Sequence, residues 1–434
     1  MASDSDDSLP PQGRFTRLRK LAGLSMQVGT DVLMSSAKRL AGGTPDLLSK
    51  SSAEKLVATL GELKGAAMKL GQAISMDPDL LTPEVRQVLA RLQNQAPAMS
   101  YDMVTRVVRQ ELGAAPEDAF REFSREPLAA ASLGQVHRAV LEDGRVVAVK
   151  VQYPGIAESL THDMENLGLV VKTVSKASRL MDGSAYFNEF RDELLLELDY
   201  RREASLAEGF ARGVAELKDL YVPQVIASHS AERVLTLELL EGPTLKDWVT
   251  TVDSNDERFR VSRQLIRATY GPFFGSGEIH ADPHPGNFMV MPDGRLGLLD
   301  FGSIKRFSPR FVDANRRMFL QSMRLEPMDI LRLSQEVGFT VELPGEEAAD
   351  LIREVLHIAG RPMRLTPYDY MSCEITRDMR NHFTRNAARF LKIKPPPEAV
   401  MFFRSTGGLA QNLRLIGARG DFRGVFLEMA ELLS

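Results

Sequence analysis

Ile279-His280-Ala281-Asp282-Pro283-His284-Pro285-Gly286-Asn287, followed after residues 288–297 by Leu298-Leu299-Asp300-Phe301-Gly302, is the stretch on which the fold class of this chain turns. Asp282, Asn287 and Asp300 offer hard oxygen donors of the kind that hold magnesium around phosphate groups. A carboxylate such as Asp282 can also accept the proton of an attacking hydroxyl. His280 and His284 have the spacing of a possible transition-metal pair, or are one structural and one loop histidine.

Working outward, the segment Val146-Val147-Ala148-Val149-Lys150-Val151 reads as a β-strand, because its residues are β-branched apart from one alanine and one lysine. The turn Glu142-Asp143-Gly144 before it predicts a hairpin over 129–151. Upstream, Pro127 to Val136 is a run of small residues placed as a loop between two strands, about 20 residues before the lysine, where side chains as short as those of Ala129, Ala130, Ala131 and Ser132 let a backbone approach a phosphate. Glu197-Leu198-Asp199-Tyr200-Arg201-Arg202-Glu203 falls inside a helical pattern, which predicts Asp199 and Glu203, four apart, on one face. A strand lysine, a helix glutamate, an Asp with an Asn five residues on, and Asp-Phe-Gly occur in the order of the protein kinases. In that arrangement Lys150 contacts the α and β phosphates, Glu203 pairs with Lys150, Asp282 is base or orienter, and Asn287 and Asp300 bind magnesium.

The composition narrows the alternatives. The chain has 434 residues, 44% of them hydrophobic, enough for a large core or two domains. Its 54 basic and 58 acidic residues leave a net charge of -4, which does not suit a nucleic-acid partner. A single cysteine, Cys373, excludes an internal disulfide and, with no CxxC pair, a zinc-thiolate fold. Apolar runs such as 167–171 and 399–403 stop far short of the roughly 18 residues of a spanning helix. The start, Met1-Ala2-Ser3-Asp4-Ser5-Asp6-Asp7, is acidic where a signal or transit peptide would be basic, and the expectation is a cytoplasmic protein.

Residues 1–13 are polar and read as disordered. Over 14–50, apolar residues at helical spacing are surrounded by Arg14, Arg17, Arg19, Lys20, Lys38 and Arg39. This segment is either a helix on an anionic membrane surface or one packed on its own domain with a solvated basic face. Leu56, Leu60, Leu63, Ala67, Leu70 and Ile74 draw one apolar stripe along a helix at 52–74, and further helices are expected near 83–92 and 101–112. The expected divisions are a helical extension at 51–115, a β-containing small lobe with inserted helices at 116–240, and a mostly helical lobe with C-terminal helices at 241–434. Within them the patterns predict helices in 156–217, a strand at 233–237, a helix at 258–274, a loop and hairpin over 280–301, and terminal helices broken by Pro395-Pro396-Pro397.

Three further motifs sharpen the resemblance. Lys69-Leu70-Gly71-Gln72 matches a KxGQ motif, Ala129-Ala130-Ala131-Ser132 an alanine-rich nucleotide loop, and Glu197-Leu198-Asp199 an ExD motif. Together with the kinase elements they identify the chain as similar to the UbiB, or AarF-domain, atypical kinases over about residues 50–310. The resemblance implies an α+β, protein-kinase-like two-lobed fold with an N-terminal helical extension, and an enzyme using ATP and Mg2+. It implies Glu197 and Asp199 beside Asn287 and Asp300 in the metal set. It also implies nucleotide contacts from Ala129, Ala130, Ala131, Ser132, Lys150, Glu238, Leu240, Lys69 and Gln72. Family membership further implies a role in ubiquinone or other isoprenoid-lipid biosynthesis and stimulation by membrane lipids. The expected partners are an anionic or isoprenoid lipid and quinone-biosynthesis proteins, on the inner face of a membrane. The rival expectations are a protein or small-molecule kinase and a nucleotide-gated lipid-binding scaffold. Alanines stand for the usual kinase glycines, Ala281 for the arginine before the catalytic aspartate, and His284 for the lysine two after it, while no Ala-Pro-Glu segment follows Asp300.

Overall fold

A computed structural model of the chain describes residues 99–131, 133–161, 164–165, 168, 191–192, 194–324 and 329–431. The segments at 1–13, 14–50 and 52–74, with Lys69 and Gln72, lie outside the described residues, as does Ser132. The chain divides into two compact units, one built from 1–107, 125–136 and 151–198, the other from 108–124, 137–150 and 199–434.

In the first unit, strand β2 (Ala129–Ala131) pairs antiparallel with the start of β3 (Gly134–Val140), in the register Ala129↔Val136, Ala130↔Gln135 and Ala131↔Gly134. The alanines expected in a loop are therefore strand residues. A run of methyl-bearing residues can pair edge to edge, where the glycines of a flexible loop would weaken a strand. Gly134 is required where it stands, since a Cβ there would come within 2.1 Å of the Val151 carbonyl oxygen.

The second unit holds the rest of the small sheet, in which β1 (Glu122–Phe123) pairs with β3, β3 neighbours β4 (Val146–Gln152), and β4 neighbours β6 (Val234–Glu238). The turn between β3 and β4 is set by Asp143, which accepts a hydrogen bond from the Arg145 amide at 3.0 Å, and by Gly144 at φ +89°. Along β4 the period of two buries Val147 and Val149 on one face and leaves Ala148 and Lys150 on the other. Helix α1 (Tyr200–Gly213) is capped by Asp199, whose carboxylate accepts from the Arg201 and Arg202 amides at 3.0 and 3.1 Å. This corrects the expectation that Asp199 and Glu203 lie on one helix face: the helix starts only after Asp199, which holds the cap.

The larger part of this unit is α-helical. Helix α2 (Asn255–Ser276) begins three residues before the expected start, because Ser254 caps it through the Glu257 amide, and stops at Gly277, φ +72°. It is buried along most of its length against α5 (Phe422–Glu431) and α4 (Pro397–Ile416), with α3 (Pro309–Arg324) beside it. Phe273, Phe307, Phe311 and Phe402 stack edge and face in this core, with ring centroids 4.9 to 6.4 Å apart. The strands β7 (Glu278–His280), β8 (Phe288–Val290), β9 (Leu296–Leu298) and β10 (Ile304–Arg306) bracket the stretch that opened the sequence analysis. β7 pairs with β10 and β8 with β9. The fold class is the kinase-like α+β one.

Candidate active site

Lys150 leaves the exposed face of β4 and reaches Glu203 in the first turns of α1. Its Nζ donates to both carboxylate oxygens, at 3.0 and 2.9 Å, and stands 3.6 Å from Asp300 Oδ2 and 4.9 Å over the Tyr200 ring. Burial works against the ammonium, but the charges of Glu203 and Asp300 and the neighbouring Tyr200 outweigh it and hold Lys150 well above its ordinary value. For Glu203, burial raises the carboxyl, Lys150 lowers it and Asp300 raises it again, with a net upward push. The bidentate contact decides for the ion pair, with the proton on Lys150. Glu203 also accepts from the Phe301 amide at 3.4 Å, which ties the strand lysine and the Asp-Phe-Gly turn to one helix.

That turn is held at each residue. Asp300 Oδ1 accepts from the Gly302 amide at 3.0 Å, Arg202 donates to the Gly302 carbonyl at 3.0 Å, and His280 Nε2 donates to the Asp300 carbonyl. Phe301 is fully buried beside Phe210. His280 sits among Phe210, Phe288 and Phe301, and among the described residues its buried Nδ1 has no hydrogen-bond partner. It is a structural residue fixing the turn. His284 uses Nδ1 to accept from the Gly286 amide at 3.1 Å, so the two histidines do not form a metal pair.

Asp282 is nearly buried at 5% exposure. Its Oδ1 accepts weakly from the His284 amide at 3.4 Å, and its carbonyl accepts from Asn287 Nδ2 at 3.2 Å. The side-chain nitrogen of Asn287 is thus committed, and its Oδ1 is the atom that could hold a cation. The Leu299 amide donates to the Asn287 carbonyl at 2.9 Å and links this loop to the residue before Asp300. Among the described residues no three Asp, Glu, His or Cys side chains cluster as a metal cage. A site with one carboxylate and one amide oxygen fits magnesium that takes its remaining ligands from phosphates and water, and does not fit a zinc or calcium cage.

The other expected site residues have surroundings of their own. Asp199 spends its carboxylate on the cap of α1, and Glu197 lies in the turn two residues earlier. The side chain of Glu238 accepts at Oε2 from the Tyr221 hydroxyl at 2.7 Å and the Gln224 amide at 3.3 Å, and its backbone N–H donates to the Gln224 carbonyl at 2.9 Å. Leu240 is buried and lies where a Cβ on Gly297 would strike it. A cleft of about 860 Å³ runs beside Glu238 between Val146, Ala207, Ala211 and Tyr221. It takes in none of Lys150, Asp282 or Asp300 and is distinct from the cluster just described. Two supporting residues, Arg202 and Asn412, went unread in the sequence. Asn412 had a signal, as a polar residue on the apolar stripe of Leu409, Leu413 and Ile416; Arg202 had none.

Comparison with known proteins agrees with the kinase-like fold. Residues 91–334 match the ABC1 atypical kinase-like domain. The chain is 31% identical over 398 residues to the mitochondrial atypical kinase COQ8B of Rattus norvegicus, covering 89% of this chain and 75% of that protein. It is 31% identical over 444 residues to the mitochondrial atypical kinase coq-8 of Caenorhabditis elegans, covering 98% of this chain and 58% of that one. Among solved structures it resembles Rv3197 of Mycobacterium tuberculosis in its complex with erythromycin, with a TM-score of 0.59 and 27% identity, covering 87% of this chain and 95% of that one.

Proposed function

Because the chain belongs to the ABC1 family of atypical kinases, the UbiB-type enzymes, we propose that it binds ATP with magnesium and catalyses phosphoryl chemistry in support of ubiquinone or other isoprenoid-lipid biosynthesis at a membrane surface. The observation that carries the proposal is the convergence of Lys150, Glu203 and Asp300 within one ion-paired cluster. Bound magnesium ATP supplies the transferable phosphoryl group and the cation that spreads its charge. Lys150 presents its ammonium to the phosphates, and Glu203 keeps it from swinging away. Asn287 and Asp300 supply the oxygen ligands. Asp282 orients the attacking oxygen and takes its proton onto a carboxylate oxygen. A protein acceptor is disfavoured in this reading, because the departures at Ala281 and His284 and the missing Ala-Pro-Glu segment remove features that dock a protein substrate.

Ala129, Ala130 and Ala131, with Ser132, Lys69 and Gln72, belong to the proposed nucleotide-binding set by resemblance alone, as do Glu197 and Asp199 to the metal set. Ala130 is exposed in β2. Ala130→Gly should therefore change stability by less than about 1 kcal/mol while altering ATP and ADP affinity. Isothermal titration and thermal melting of the same variant check this. Unchanged affinities with a lowered melting temperature would make the alanines merely structural.

No helix of the described residues is long and apolar enough to cross a membrane. The proposed partners are an anionic or isoprenoid lipid and proteins of quinone biosynthesis, on the cytoplasmic face of a membrane. The test is phosphate release by the purified chain, with and without liposomes containing an anionic lipid, and with and without EDTA. Magnesium-dependent release stimulated by the liposomes is expected. Label transfer to an added protein or small molecule without free phosphate would favour a conventional kinase, and nucleotide binding without either would favour a lipid-binding scaffold.

A further inference from the structure

Lys150, Glu203, Asp282, Asn287 and Asp300 lie within 150–302, yet one hydrogen bond to the Asp282 loop comes from far outside that span. Asn412, in the next-to-last turn of α4, is buried at 4% exposure, and its Nδ2 donates to the Pro283 carbonyl at 2.7 Å. It shares the buried side of α4 with Ser405, Leu409, Leu413 and Ile416. A carboxamide on an apolar stripe costs free energy unless it is hydrogen-bonded, so the bond is the reason an asparagine can stand there. The helix is itself fixed at this end. Arg258 donates to the Ile416 carbonyl, and Asn255 and Arg419 exchange two hydrogen bonds, at 3.0 and 2.9 Å, so α4 is fastened to the start of α2.

The loop that receives the bond has its own ties, from Asn287 Nδ2 to the Asp282 carbonyl and from the Asn287 amide to the His284 carbonyl at 2.9 Å. These set its internal shape, the Leu299 amide on the Asn287 carbonyl and the Ala281 amide on the Ser303 carbonyl tie it to the neighbouring strands, and the Asn412 bond ties it to the C-terminal helices. Pro283 follows Asp282 directly and has no N–H, so its carbonyl is the handle by which a neighbouring element can hold the aspartate.

We infer that Asn412 is a positioning residue for Asp282: through the Pro283 carbonyl it sets where the proton-accepting carboxylate stands, and it does so from a C-terminal helix beyond the 91–334 match. The inference rests on the reading of Asp282 as base or orienter. Asn412→Leu removes the donor at similar volume. Asn412→His keeps a donor at the same bond distance from Cβ and is the rescuing variant.

Misplacing a reacting group by an ångström costs on the order of tenfold to a hundredfold in rate. Asn412→Leu should accordingly lower kcat for phosphate release by that factor, leave KM for magnesium ATP within about twofold, and speed backbone amide exchange at 282–287. Asn412→His should recover much of the rate, and Asn412→Leu should add nothing to the loss already caused by Asp282→Asn. A wild-type kcat per folded molecule in Asn412→Leu, or a full further loss on the Asp282→Asn background, would overturn the inference. If the unaltered chain neither releases nor transfers phosphate, the functional reading fails first, and amide exchange then decides by itself: unchanged protection at 282–287 in both variants overturns the anchor.

Discussion

Asp282→Asn is expected to leave magnesium-nucleotide affinity within a few-fold of the unaltered chain and to cut turnover by about 10²- to 10⁴-fold, the usual contribution of a positioned base. Asp300→Asn should do the reverse at the binding step, weakening magnesium-dependent nucleotide binding. The geometry separates the two. Asp300 stands 3.6 Å from Lys150, at the meeting point of the lysine and the Asp-Phe-Gly turn. The Asp282 carboxylate takes a long hydrogen bond of 3.4 Å from the His284 amide, and the Asp282 carbonyl takes the Asn287 side-chain amide. An asparagine at 300 can still accept from the Gly302 amide, so the turn should keep its shape while its charge is lost. Nucleotide titration with and without magnesium, paired with phosphate release on the same preparations, checks both variants. Equal loss of binding in the two would contradict the division of labour.

The motifs that mark the candidate site are legible in the sequence for a physical reason. Phosphoryl transfer needs a few residue types at separations set by short local turns, and Asp282 to Asn287 and Asp300 to Gly302 are such turns. The pairing of Lys150 with Glu203 spans 53 residues and no local pattern predicts it; it was legible only through the order of motifs shared with kinases. Elements with strong punctuation were placed closely. The helix expected at 101–112 occurs as Tyr101–Leu112, and the break at Pro395-Pro396-Pro397 leads into α4 at Pro397. Capping decided the misses. Asp199 looked like one more residue of a helical run, yet a short carboxylate that can bond two free amides at a helix start serves better outside the helix than in it. The alanines at 129–131 misled because small side chains suit a loop and a close-paired edge strand alike. Asn412 lies 129 residues from its partner, and tertiary contacts of that range leave no mark beyond a polar residue on an apolar stripe.

The Lys150 and Glu203 pair should give the largest change in stability. The Glu203 side chain is 3% exposed and that of Lys150 16%, so Lys150→Met leaves a carboxylate buried without its cation. Breaking such a pair from one side costs about 3 to 5 kcal/mol, whereas replacing both members by apolar residues is often neutral. Lys150→Met alone should therefore destabilise strongly near neutral pH, and Lys150→Met with Glu203→Leu should recover most of the loss. The pH dependence has a definite sign. Burial and Asp300 already push the Glu203 carboxyl up, and removing Lys150 takes away the charge that pulls it down. In the single variant the folded chain then holds a proton on Glu203 that the unfolded chain has given up. A carboxyl raised in the folded state keeps its contribution below the unfolded value, near 4.3, and loses it as pH rises through the folded value. The penalty of Lys150→Met should thus be smaller at pH 5 than at pH 8, and that difference should vanish in the double variant, where no carboxyl remains at 203. Urea unfolding of the three variants, Lys150→Met, Glu203→Leu and the double, at both pH values measures this. A single-variant penalty that stays the same from pH 5 to pH 8 would mean that the Glu203 carboxyl leaves its buried site for water once Lys150 is gone.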